Sequence, residues 1–206
     1  MIIVHHLENS RSQRVLWLLE ELGLPFEVRR YERNPRTMLA PPELRKVHPL
    51  GKSPVIEDEG AAIAETGAIV EYLVEKGEGR LGPPRRREDV LRYRHFLHYA
   101  EGSMMPPLLA ILVVNRLGIL GRPARAPLAK MLGVHLDWLD TELAARPWFA
   151  GDEFTAADIM MSFPIEAARH RGGLGTRANL EDWLERIHAR PAYGAALQKG
   201  GPYAYA

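Results

Sequence analysis

Cysteine is absent from the 206 residues. That excludes disulfides, thiolate metal sites and a protein thiol nucleophile, so any thiol chemistry needs a thiol brought by a ligand. Charge of one sign is also lacking: 27 basic and 26 acidic residues leave a net charge of +1. Nothing global points to nucleic acid or to an anionic membrane surface. No apolar run approaches the roughly 20 residues that span a bilayer. The opening Met1-Ile-Ile-Val-His-His-Leu-Glu8 lacks the basic and long apolar segments of a signal peptide. Internal repeats and low-complexity tracts are missing as well. The expectation is a cytoplasmic protein with neither nucleic acid nor membrane as partner, folded as one compact domain or two small ones.

What is present centres on His48 to Tyr72. A Pro/Gly loop leads through Ser53-Pro54 into a short apolar run, Val55-Ile56. Asp58-Glu59-Gly60 signals a turn and Ala61 to Ala64 a second strand, so the pair reads as a β-hairpin. Glu65-Thr66-Gly67 then opens a helix with Ile69, Val70, Leu73 and Val74 on one face. Two features suit a ligand. An X-Pro bond in the cis form ahead of a strand turns the backbone of Ser53 outward, where it can pair with an extended peptide. A helix starting at Thr66 offers free N–H groups to a carboxylate, and Lys52 adds a cation. A short peptide with a carboxylate at each end fits this layout. Taken singly, each residue has a plainer reading: a solvated Lys52, a Pro54 that shapes a turn, a Thr66 that caps a helix.

The remaining chain frames this stretch. Ile2 to Leu7 is β-rich, and Val15, Leu16, Leu18, Leu19 and Leu22 follow at helical spacing, ended by Gly23 and Pro25. Phe26 to Tyr31 reads as a strand, and Pro42 to Val47 as a short helix. The order β-α-β-(α)-β-β-α ends near Lys76 and matches a thioredoxin-like arrangement. Gly77 to Arg87, rich in Gly, Pro and Arg, is the best boundary. The division is therefore 1–80 for the α/β domain and 87–206 for an all-helical one. In the second, Pro106-Pro107 must bend or break the first helix, and a helical stripe runs from Pro127 to Ala145. Thr155 with Asp158, and Asn179 with Asp182, have capping-box spacing.

The order P-L-G-K-S-P, a hairpin and E-T-G-A-I resembles the glutathione transferases. Thr155-Ala-Ala-Asp158 resembles that family's helical-domain capping motif. P-P-E-L-R-K-V-H-P-L-G-K-S-P, E-G-S-M-M-P-P-L and A-D-I-M-M-S-F-P look like a fungal and bacterial branch, and the similarity covers nearly the whole chain. The resemblance implies glutathione as co-substrate, hydrophobic electrophiles and a homodimer. It implies that the Ser53 backbone pairs with the cysteinyl unit, that Glu65 and Thr66 hold the γ-glutamyl end and that Lys52 helps hold the glycyl carboxylate. The missing cysteines exclude the branches that form mixed disulfides with glutathione. A glutathione-dependent peroxidase or reductase, and a non-catalytic carrier of the same fold, are the alternative functions.

Conjugation needs the glutathione thiol ionised, and a thiol of pKa about 8.5 is only a few per cent thiolate at neutral pH. A hydroxyl donor and a helix N-terminus favour the anion. The S-x-x-x-R pattern of serine-type transferases, matched by Ser10 and Arg14, selects Ser10 as the catalytic residue; no tyrosine stands in this loop. Ser10-x-x-Gln13 is also a capping box, so from local sequence alone Ser10 reads first as a helix cap, a role that can overlap with the catalytic one, with Ser12 and Asn9 as alternative donors. Tyr99, Glu101, Met104 and Met105, where the long helix breaks, suit a pocket wall or the core. The eight histidines form no ligand set: His5 and His6 point to opposite faces of a strand, and His95 with His98 lacks a third ligand. No metal is expected.

Overall fold

The computed structural model describes residues 1–206. They form two compact units, Met1–Gly82 together with Ile187–Ala206, and Pro83–Arg186. This differs from the division at 1–80 and 87–206 in one respect: the C-terminal segment belongs with the first unit. The reason is a helix that packs on the first helix of the chain.

The first unit is a thioredoxin-like layer. Strand β1 (Ile2–Leu7) pairs in parallel with β2 (Phe26–Tyr31) and antiparallel with β3 (Val55–Asp58), which pairs with β4 (Ala61–Ala64). The sheet order is β2-β1-β3-β4. Helix α1 (Ser12–Leu22) buries Val15, Leu16, Trp17, Leu18 and Leu19 and ends at Gly23, whose φ of 62° is the left-handed conformation a glycine cap supplies. The short α2 (Leu44–Val47) buries only Leu44. Helix α3 (Thr66–Lys76) buries Ile69, Val70, Leu73 and Val74, the face its spacing predicts.

Helix α9 (Pro191–Gly200) closes this unit over α1. Arg190 makes a two-pronged ion pair with Glu21 at 2.5 and 2.9 Å, and Tyr193 meets Trp17 edge-on at 5.2 Å. Gly200 lies tight against α1: a Cβ there would stand 2.8 Å from Gln13 Oε1 and 2.9 Å from a Leu16 methyl, so those side chains would have to shift.

The second unit is all helical. Helix α4 (Arg87–Tyr99) does not break. It passes through one π turn (Ala100–Met104) into α5 (Met105–Arg116), which carries Pro106 and Pro107 in its first turn. Proline lacks an N–H to donate but is tolerated in a first turn; in the π turn just before the pair, Met105 N–H reaches back to Ala100 C=O. The run Arg87–Arg116 is 30 residues long, with an 18-residue window of mean hydropathy 1.3 that is one third buried. By length and composition alone it passes for a membrane span, as the core helix of a packed unit also does. Here α4 and α5 pack on α7 (Ala156–Gly172), and α5 also on α6 (Arg122–Ala145). Met104 and Met105 are core residues of this unit.

The Thr155–Asp158 capping box forms as expected. Asp158 is fully buried, and its carboxylate accepts the N–H groups of Phe149 at 3.0 Å and Thr155 at 3.0 Å and the indole N–H of Trp183 at 3.3 Å. Burial pushes its pKa up to about 6 against these donors. The second expected box is absent. Helix α8 (Ala178–His188) begins one residue earlier, so Asn179 lies inside it. Asp140 of α6 supplies the cap from outside, accepting Leu180 N–H at 3.1 Å and the Asn179 amide at 3.0 Å.

These two carboxylates should rank differently. Asp158→Ala orphans three buried donors at about 1–3 kcal/mol each, whereas Asp140→Ala removes a half-buried cap worth about 1 kcal/mol. Urea unfolding should show the Asp158 variant losing at least twice what the Asp140 variant loses; equal losses contradict this account of the helical core.

Candidate functional site

Sheet register gathers the predicted residues at one end of the first unit. His5 pairs with Val55 and Val55 with Ala64. The end of β1, the Ser53-Pro54 approach to β3 and the Glu65 exit from β4 are therefore neighbours. Leu7 N–H, near the end of β1, lies 3.2 Å from both Ser12 Oγ and Ser53 Oγ. Ser53 Oγ also donates to His5 C=O at 2.8 Å. The Ser53-Pro54 bond is cis, and Ser53 N–H and C=O make no hydrogen bond to the rest of the backbone. Lys52 beside it is exposed.

Glu65 is exposed and precedes α3 with φ 71° and ψ 122°. A non-glycine residue held there costs about 1–3 kcal/mol. Glu65, rather than Thr66, occupies the cap position, and its side chain makes no capping bond. Thr66 is the buried first residue of the helix.

The Ser10 loop departs from the capping-box reading. Arg11 stands at the cap position of α1 and no side chain caps it. The Gln13 amide is buried without a partner instead of reaching back to Ser10. Ser10 Oγ accepts Ser12 N–H at 3.2 Å and lies 2.8 Å from Ser12 Oγ. Ser12 Oγ in turn lies 2.9 Å from His6 Nδ1 and 3.2 Å from Leu7 C=O. The other ring nitrogen of His6 bonds to the Gly200 backbone. A chain of hydrogen bonds thus runs Ser10–Ser12–His6–Gly200, with Ser10 at its outer end. Asn9, the other candidate donor, is anchored through its side-chain oxygen, which accepts Ala204 N–H at 2.7 Å; that bond does not use the amide NH2 group.

His6 was legible only as one of two histidines on opposite strand faces. Its role needs Gly200, far away in sequence. His5, on the other face, bonds to Tyr31 Oη at 2.9 Å and Glu57 at 3.2 Å. Tyr99, the last residue of α4 before the π turn, lies 2.5 Å from His135 Nδ1, a contact internal to the helical unit.

Burial, reinforced by Arg30, lowers the His6 pKa to about 4, so the ring is neutral at physiological pH. The folded protein resists a proton that the unfolded chain accepts near 6.5. Stability is therefore intact above that pH and is lost as pH falls toward about 4, by up to about 3 kcal/mol. His6→Gln should flatten this limb in melting curves taken across the range, relative to the parent protein. An identical acid limb in both excludes His6 as its source.

Comparison with known proteins agrees with this geometry. Residues 10–76 match the family model described as glutathione S-transferase, N-terminal domain, and residues 123–193 its C-terminal domain counterpart. Glutathione S-transferase 3 of Schizosaccharomyces pombe is 39% identical, the match covering 97% of this chain and 88% of that protein. Glutathione S-transferase 1 of Saccharomyces cerevisiae is 30% identical over 97% and 95% of the two chains. Among solved structures, a glutathione S-transferase from Actinobacillus pleuropneumoniae superposes with a TM-score of 0.88 at 32% identity, covering 99% of this chain and 94% of that one. A family member from Pseudomonas fluorescens with two glutathione molecules bound superposes at 0.81 and 26% identity, covering 95% and 92%. The chain belongs to the glutathione S-transferase family.

Proposed function

We propose that this glutathione transferase is of the serine type, with Ser10 as the residue that stabilises the glutathione thiolate for attack on hydrophobic electrophiles. The observation that carries the reading is the position of Ser10 at the head of the hydrogen-bond chain. Ser12 Oγ is fully buried, with Leu7, His6 and Ser10 all within hydrogen-bond distance. Ser10 Oγ has only Ser12 as partner and can turn its proton toward a sulfur. The Ser12 N–H donated to Ser10 Oγ polarises the hydroxyl and improves it as a donor. The N-terminus of α1 adds a favourable dipole.

The tripeptide is held by the rest of this sheet end. The free Ser53 N–H and C=O take the cysteinyl backbone as a strand would. Glu65 pairs with the γ-glutamyl ammonium beside Thr66, and Lys52 faces the glycyl carboxylate. The protein acts as a cytoplasmic homodimer in detoxification and needs no metal; a monomer in sedimentation at micromolar concentration would remove the dimer from this proposal.

Turnover with glutathione and chlorodinitrobenzene tests the assignment. Ser10→Ala should lower kcat by up to about 10²–10³-fold and raise the pKa of the bound thiol while glutathione still binds. Ser12→Ala should have the smaller effect on kcat, and the reverse order sinks the choice of Ser10. Glu65→Ala should weaken glutathione binding about 10-fold or more, since a charge-assisted hydrogen bond contributes about 1.5–3 kcal/mol. Glu65→Gly should weaken it as much yet raise the melting temperature, because glycine adopts the positive φ without strain. Unchanged calorimetric affinity in both would remove Glu65 from the site.

A further inference from the structure

From Gly102 to Leu136 the chain contains no aspartate or glutamate, while Arg116, Arg122, Arg125 and Lys130 are all exposed. The nearly balanced charge of the whole protein hides this local excess. The same stretch holds most of the large apolar side chains left in solvent. Leu117, Ile119 and Leu120, in the turn joining α5 to α6, are 53%, 74% and 84% exposed. Leu109 and Val113 on α5, and Met131 and Val134 on α6, are exposed as well.

The apolar apex is built and ordered. Gly118 takes φ 59°, and a Cβ on Gly121 would stand 2.0 Å from Val114 C=O, so glycine is needed for α6 to start this close to the end of α5. Leu120 N–H donates to Leu117 C=O and Arg122 N–H to Ile119 C=O, both at 3.2 Å. Arg125 donates to Gly118 C=O at 3.1 Å. These bonds hold Ile119 and Leu120 outward instead of letting them fold back into the helical core.

We infer that the α5–α6 hairpin docks on an anionic lipid surface, placing Ile119 and Leu120 at the boundary between headgroups and acyl chains with the four cations against lipid phosphates. Apolar side chains framed by Lys and Arg are the pattern of interfacial membrane binding. A second copy of the chain is the less fitting occupant, because a two-fold contact would set four cations against four. The attachment is peripheral: the helix behind the apex belongs to the packed helical unit.

Flotation of the full-length protein with vesicles tests this. At low salt it should rise with phosphatidylcholine–phosphatidylglycerol vesicles, stay behind with phosphatidylcholine alone, and be released by salt. Arg116→Glu with Arg122→Glu should abolish flotation, since each lost cation lowers partitioning about fivefold. Ile119→Ser with Leu120→Ser should do the same. Both double variants should keep parental melting temperatures and turnover of a soluble electrophile. Absence of the parent protein from the anionic vesicle layer overturns the inference, as does undiminished flotation of both variants. A change from dimer to monomer in sedimentation of the serine variant also overturns it, by assigning the apex to the partner subunit.

Discussion

The amide N–H of Leu7 lies within reach of two serine hydroxyls, Ser12 from the loop after β1 and Ser53 from the loop before β3. Everything proposed for the first unit depends on that convergence. β1 is a central strand, with β2 and β3 on its flanks, so its end is among the most constrained points of the sheet. Two loops hydrogen-bonded to that point inherit its position. One presents Ser10 and the other the Ser53 backbone. A ligand spanning both thus meets groups whose ordering was completed on folding, which lowers the entropy lost on binding.

Behind this end, α9 has a different task from its chain neighbours. Gly200 approaches α1 and β1 so closely that a larger residue would have to displace the Gln13 and Leu16 side chains, and its backbone holds the His6 ring. The C-terminal segment thereby helps fix the His6 ring beside Ser12. A buried neutral imidazole is less costly here than an ion would be, because desolvation already disfavours the charge. The helical unit uses the opposite device. Asp158 is buried and ionisable, and its cost is offset by directing three N–H donors onto one carboxylate. Such a centre is stable only when every donor is in place.

Glu65 and Gln13 break local rules in different ways. Glu65 occupies backbone that glycine would fill more readily, and it is exposed at the end of the sheet where the glutathione-binding groups are proposed. Strain there is consistent with a residue kept for its carboxylate. Gln13 leaves both amide atoms buried and unpaired, and nothing in the structure explains it.

Hydrophobic period, glycine and proline were sufficient for the element order, for the hairpin, for the glycine stop of α1 and for the Thr155–Asp158 box. These are decided within a few residues, where sterics and neighbouring hydrogen bonds dominate. The local conformation of the proposed binding stretch, with its cis Ser53-Pro54 bond and a helix opening at Thr66, was legible for the same reason. What sequence could not show depends on partners far along the chain. Asp140, not Asn179, caps α8, because a carboxylate on α6 reaches the free N–H groups first. The Pro106-Pro107 pair ends no helix, because it follows a π turn and falls in the first turn of α5, where a missing N–H is tolerated. Ile187–Ala206 joins the first unit, since α1 is buried on nearly every side and needs a second covering layer. His6 becomes part of the Ser10 chain only when Gly200 is brought against it, an approach that no local pattern encodes and that tertiary packing alone decides.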